Sequence, residues 1–148
     1  MSEVLAQTEA TVHRQVLQQA FDRYHAAWEA KDPEAIAALH TEDSTFALRS
    51  GGARVQGRAA LRQHFAQIFL EFPNYRSEVD RLLLGDGHWV LEWTMAIELP
   101  DVDGGTFTAR IPLVDVVDVD ESGLVTRKDV WVDGVQQAAA YRRAGRTA

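Results

Sequence analysis

Apolar positions recur along the first half of the chain with a helical period and along the second half with a period of two. Between residue 11 and about residue 31, Leu17, Phe21, Tyr24 and Trp28 follow at spacings of four, three and four, one stripe of an amphipathic helix. Asp32-Pro33 ends that helix and opens a second, Glu34 to about Leu39, with Asp32 as N-cap and Pro33 at the first helical position. His40-Thr41-Glu42-Asp43 is expected to turn. Ser44 to Arg49 alternates as a strand, Ser50-Gly51-Gly52 turns, and Arg54 to Gln56 returns briefly. A third helix, about Arg58 to Phe72, carries the stripe Leu61, Phe65, Ile68, Phe69 and Phe72, and Pro73-Asn74 stops it.

The remaining pattern predicts strands at Arg76–Leu84, His88–Leu99 and Thr106–Val119, and a closing strand that runs to Val132. Gly85-Asp86-Gly87 and Asp120-Glu121-Ser122-Gly123 supply tight turns. Helices first and meandering strands afterwards imply an α+β fold. One domain over residues 1–148 is expected, its core about 11–135, with three N-terminal helices in the hollow of a curved, mainly antiparallel sheet. Within it, Leu113, Asp115, Val117 and Val119 share one strand face. If that face is internal, Asp115 is a carboxyl among apolar neighbours, which either needs a structural partner or serves as a functional acid. On the closing strand Arg127, Asp129 and Trp131 join Asp115 if odd positions point inward. A bulge of one residue turns them to solvent instead.

Composition narrows the function classes. A formal net charge of -7 argues against a nucleic-acid backbone as partner. The chain has no cysteine, which excludes disulfides, thiolate metal sites and a cysteine nucleophile. No stretch approaches a membrane span and the first residues lack a secretory pattern, so no membrane contact is expected and the cytoplasm is the expected compartment. Arg142, Arg143 and Arg146 read as a solvated basic tail. His64 flanks the inner stripe of the third helix, either as a surface residue or as a general base. No histidine and carboxylate set has metal-ligand spacing.

Three stretches together resemble the nuclear transport factor 2-like superfamily over about residues 11–135. They are Arg23-Tyr24 through Trp28 to Ile36; Thr41-Glu42-Asp43-Ser44-Thr45-Phe46 running on to Gly57-Arg58-Ala59-Ala60-Leu61; and Asp115 followed by Gly123-Leu124-Val125 and Trp131-Val132-Asp133. The resemblance implies a cone-shaped α+β barrel with a largely apolar pocket, commonly dimerised through the outer sheet face. It also implies one of several activities: ketosteroid isomerase, SnoaL-like polyketide cyclase, dehydratase, limonene epoxide hydrolase-like chemistry, or plain binding. In the isomerases the oxyanion tyrosine falls on Tyr24 and the protonated aspartate on Asp115, whereas the carboxylate base falls on Leu48, which cannot take a proton. The epoxide hydrolases use an Asp-Arg-Asp set, and the strand Leu91-Glu92-Trp93-Thr94 lacks the arginine. Arg127 and Asp129 on the closing strand offer a displaced version.

The expectation is therefore an enzyme that handles a small apolar molecule by carboxyl acid/base chemistry, with no cofactor and no metal. Asp115 would be the acid, Tyr24 its helper, and Asp129 or His64 the base. Trp28, Leu48, Phe65, Phe69, Trp93, Met95 and Trp131 would line the pocket. The even sheet face, with Val90, Thr94, Ala96, Val114 and Val116, is apolar enough to expect a homodimer. The rival is a non-catalytic module that binds a hydrophobic ligand or joins a partner.

Overall fold

The computed structural model describes residues 2–146. Its elements run α1 (Ser2–Glu29), α2 (Pro33–Ala38), β1 (His40–Leu48), β2 (Val55–Gln56), α3 (Arg58–Glu71), β3 (Arg76–Leu84), β4 (His88–Pro100), β5 (Thr106–Val119), β6 (Val125–Val132) and α4 (Gly134–Arg143). The α+β class is as expected, and α3 follows the β1–β2 hairpin as the residue pattern placed it, so the helices do not form one N-terminal block ahead of the strands. The six strands form a single curved sheet in the order β2-β1-β6-β5-β4-β3. That sheet is open, not a closed barrel: the outer strands β2 and β3 do not pair. All pairings are antiparallel except β1 with β6.

Local chemistry explains the element ends. Asp32 accepts a hydrogen bond from Ala35 N at 3.1 Å and Pro33 follows it, so α2 starts where the sequence places it. Asp120 Oδ1 accepts from Ser122 N and Leu124 N while Gly123 takes φ 86°, which closes the β5–β6 turn. Asp133 Oδ1 accepts from Gln136 N at 3.0 Å and caps α4. That helix replaces the expected solvated tail: Arg143 pairs with Asp101 at 2.9 Å and lies over the Phe107 ring.

Two other boundaries move. α1 begins at Ser2, well before residue 11, through a segment whose Val4 and Leu5 are exposed. β1 begins at His40, where a turn was expected, because His40 pairs with Val125 of β6 before the register shifts ahead of Thr45. The β1 extension matters most, since it carries His40 and Ser44 into the interior, fully buried.

The core has two apolar clusters. The first joins Leu17, Phe21 and Tyr24 of α1 with Leu61 and Phe65 of α3 and with Trp89, Leu91, Val117 and Val130 of the sheet. The second, under α4, holds Tyr75, Met95, Ile97, Leu99, Ala109 and Ile111. No helix among the described residues is long and apolar enough to cross a membrane.

Candidate functional site

Between the helices and the concave sheet face lies an apolar cavity of about 230 Å³. Voids of roughly 150 Å³ already hold benzene, so this one has room for a small one- or two-ring molecule. Tyr24, Trp28, Leu48, His64, Trp93, Met95 and Asp115 all line it, as the sequence pattern proposed. His25 also reaches the wall, 3.4 Å from Glu29 and stacked on Phe21.

Four expected residues lie elsewhere. Phe65 is wholly buried core, packed edge-on to Trp28 and Phe46. Phe69 packs behind the wall, against Trp28 and Tyr75. Asp129 and Trp131 face outward with Arg127. The reason is a register shift: Asp118 pairs with Arg127 but Val119 pairs with Val125, which leaves Thr126 as the extra residue. Beyond that bulge the even positions of β6 turn inward, so Lys128, Val130 and Val132 line the cavity. Trp131 is 41% exposed on the outer face. Asp129 is only 4% exposed there because arginines cover it: Arg127 at 2.8 Å, Arg54 at 3.0 Å and Arg49 at 3.6 Å. The displaced Arg127–Asp129 version of the hydrolase set is therefore outside the pocket.

The same bulge brings in the residue that sequence reasoning missed. Lys128 is 5% exposed, and its ammonium lies 3.4 Å from Asp115 Oδ2. It also sits over the rings of Trp28 (4.3 Å) and Tyr24 (4.9 Å). The period-two run Lys128, Val130, Val132 was the available signal, hidden by the choice of odd face. Asp115 is 4% exposed and receives the Trp93 indole N–H on Oδ1 at 2.9 Å. Each of its oxygens thus faces a donor. Burial opposes charge on Lys128, but the neighbouring Tyr24 and Asp115 outweigh it and hold the ammonium above its ordinary pKa.

Next to this pair, the Tyr24 hydroxyl lies 2.9 Å from His40 Nε2, and His40 Nδ1 lies 2.8 Å from Ser44 Oγ. Burial pushes the Tyr24 phenol up despite the nearby Lys128 ammonium. Burial, with Lys128 and Arg58 nearby, pushes His40 down to about 3, so its ring is neutral. Arg58 fixes this strand by donating to the His40 carbonyl at 2.7 and 3.2 Å. The Trp28 indole N–H is buried without a well-aligned acceptor. It stands close enough to the Tyr24 oxygen to favour the phenolate.

His64 stands on a different part of the wall, its ring centroid 5.1 Å from that of Phe46. Burial lowers its pKa, partly offset by Glu71, so the imidazole is a free base at neutral pH. The cavity therefore offers a fixed cation, a phenol and a neutral imidazole around an apolar volume. Among the described residues no cluster of three or more His, Cys, Asp or Glu could hold a metal ion.

The SnoaL-like domain family matches residues 21–128. Among solved structures, a candidate SnoaL-like polyketide cyclase of Shewanella denitrificans superposes with a TM-score of 0.73 at 14% identity, covering 86% of this chain and 97% of its own. A phenazine biosynthesis-related protein of Pseudomonas aeruginosa gives 0.72 at 15% identity, over 95% of this chain and 92% of its own. An LEH-like epoxide hydrolase of M. tuberculosis gives 0.69 at 15% identity, over 88% and 92%. At these identities the likeness is one of fold. No curated protein matches the chain significantly.

Proposed function

The chain belongs to the SnoaL-like domain family, and from that premise we propose that it is an enzyme moving a proton on a small, mostly apolar carbonyl compound, in an isomerase or cyclase type of reaction. The observation that carries the reading is the Lys128–Asp115 pair, buried at 5% and 4% exposure yet lining the cavity. A buried ion pair repays its desolvation poorly, and a hydrophobic pair of similar volume often serves stability as well or better. Placed in a pocket, such a pair is a functional-site signal.

In this reading the Lys128 ammonium, with Tyr24 beside it, attracts the substrate oxygen. His64 takes a proton from the carbon next to the carbonyl. The C–H electron pair forms the new C=C bond, and the carbonyl π pair moves onto oxygen as an enolate stabilised by Lys128. Returning the proton to another carbon completes an isomerisation; attack of the enolate carbon on a second carbonyl, whose oxygen takes the π pair and then the proton held by His64, completes a cyclisation. Asp115 is the partner rather than the acid in this reading, since one oxygen accepts the Trp93 N–H and the other faces the Lys128 ammonium. It keeps Lys128 charged and in place.

The test needs no knowledge of the natural substrate. Small cyclic ketones incubated with the protein in D₂O should exchange their α-hydrogens faster than buffer allows, as followed by proton NMR. Lys128→Met and His64→Ala should each slow that exchange at least tenfold. Binding of the ketones without exchange would instead support a non-catalytic module, the reading that Leu48 favours by standing where the isomerases carry their base.

A further inference from the structure

The interior hydrogen bonds at His40 lead to an inference about the ligand that rests on the proposed site. Ser44 is fully buried, and among the described residues its hydroxyl has one side-chain partner, His40 Nδ1 at 2.8 Å. A buried hydroxyl has to donate its proton, and an unmet donor is costly. Ser44 therefore donates to Nδ1, which must be bare. His40 is neutral, so its single proton sits on Nε2 and is donated to the Tyr24 oxygen at 2.9 Å. The Lys128 ammonium, 4.9 Å over the Tyr24 ring, can only donate as well. Among the described residues the Tyr24 hydroxyl has no hydrogen-bond partner besides His40, so its proton is left for what occupies the cavity.

We infer that His40, set by Ser44, is a positioning residue that turns the Tyr24 O–H into the cavity, and that the site selects ligands presenting an oxygen acceptor beside Tyr24 and Lys128. The opposite tautomer would let Tyr24 donate to His40 and would leave Ser44 without an acceptor. Tyr24 would then offer a ligand no proton. A neutral carbonyl gains a hydrogen bond here, whereas a hydrocarbon of the same shape leaves the phenol proton unmet and binds more weakly. An alcohol is accepted through its lone pairs.

Nitrogen-15 NMR of protein labelled at histidine tests the tautomer without any ligand. The result expected is a proton on Nε2 and a bare Nδ1 for His40, with Ser44→Ala increasing the Nδ1-protonated fraction. A wild-type proton on Nδ1 overturns the inference, whether or not the cavity proves to be a catalytic site. Ligand preference is read separately, by titrating 1-indanone against indane. Wild type should prefer the ketone about threefold to tenfold, the range of one hydrogen bond. Its carbonyl stretch should shift to lower frequency in the complex. Tyr24→Phe and Ser44→Ala should both shrink the preference and the shift. Equal affinity for the two ligands in wild type contradicts the selection even if the tautomer is right. If neither ligand binds, the proposed site fails, while the NMR result still decides the role of His40.

Discussion

Replacing one member of the Asp115–Lys128 pair isolates what it does. In Lys128→Met the Asp115 carboxylate keeps only the Trp93 N–H; in Asp115→Asn the Lys128 ammonium keeps only the two aromatic faces and the phenol. Leaving one buried charge uncompensated costs about 3–5 kcal/mol. At 2–4 °C per kcal/mol for a chain of this size, each single variant should melt roughly 6–20 °C below wild type. The double variant Asp115→Asn/Lys128→Met keeps an acceptor for Trp93 and buries no charge. It should return to within about 1 kcal/mol of wild type, a coupling of at least ~5 kcal/mol. Urea unfolding of all four proteins gives the cycle, and α-hydrogen exchange gives function alongside. The double variant should be stable and inactive if the pair serves the proposed chemistry. Single variants that cost under about 1 kcal/mol, or costs that simply add, would refute the reasoning that the pair is buried and coupled.

Other consequences are simpler to read. His40 folds with its pKa near 3, below the ordinary 6.5, so the unfolded chain binds the extra proton; the stability this contributes is full above pH 6.5 and is lost as pH falls toward 3. By pH 5 the loss is roughly 2 kcal/mol. His64 adds to the same slope, so wild type and His40→Gln are compared between pH 7 and 5, and an unchanged slope would contradict the buried neutral ring. Asp129→Ala should lower stability by about 1–3 kcal/mol, since three guanidiniums lose their shared carboxylate. It should leave ketone exchange unchanged, and a lost activity would return Asp129 to the pocket. Asp133→Ala removes the α4 cap and should cost about 1 kcal/mol in chemical unfolding. The outer sheet face exposes Leu83 and Trp131, and a second copy of the chain is the proposed partner. Light scattering should show a dimer that Trp131→Glu weakens, and a monomer at high concentration would count against it.

Much of this was legible in the order of residues because local physics decided it. The Leu17–Trp28 stripe, the Asp32-Pro33 boundary, the Asp120–Gly123 turn and the inward face of β5 each depend on neighbours a few positions away. Tyr24, Asp115 and His64 reach the cavity wall for that reason. The failures were decided between strands. Whether Asp129 or Lys128 faces inward depends on one unpaired residue, Thr126, and a period of two turns that single slip into a complete exchange of faces. His40 looked like a turn because Thr41, Glu42 and Asp43 follow it. Its pairing with Val125, 85 positions along in sequence number, makes it strand and buries it. A buried lysine beside a buried aspartate cannot be read from either residue's own neighbours.

The Lys128 and Tyr24 end of the cavity is proposed to grip the oxygen of a small apolar ligand. A crystal structure of the protein with 1-indanone tests it most directly. The ketone should lie within the cavity, its oxygen within hydrogen-bonding distance of both Lys128 Nζ and the Tyr24 hydroxyl, and a ring hydrogen-bearing carbon turned toward His64. A ketone bound in the same cavity with its oxygen pointing away from Lys128, toward Leu48 and solvent, would contradict it.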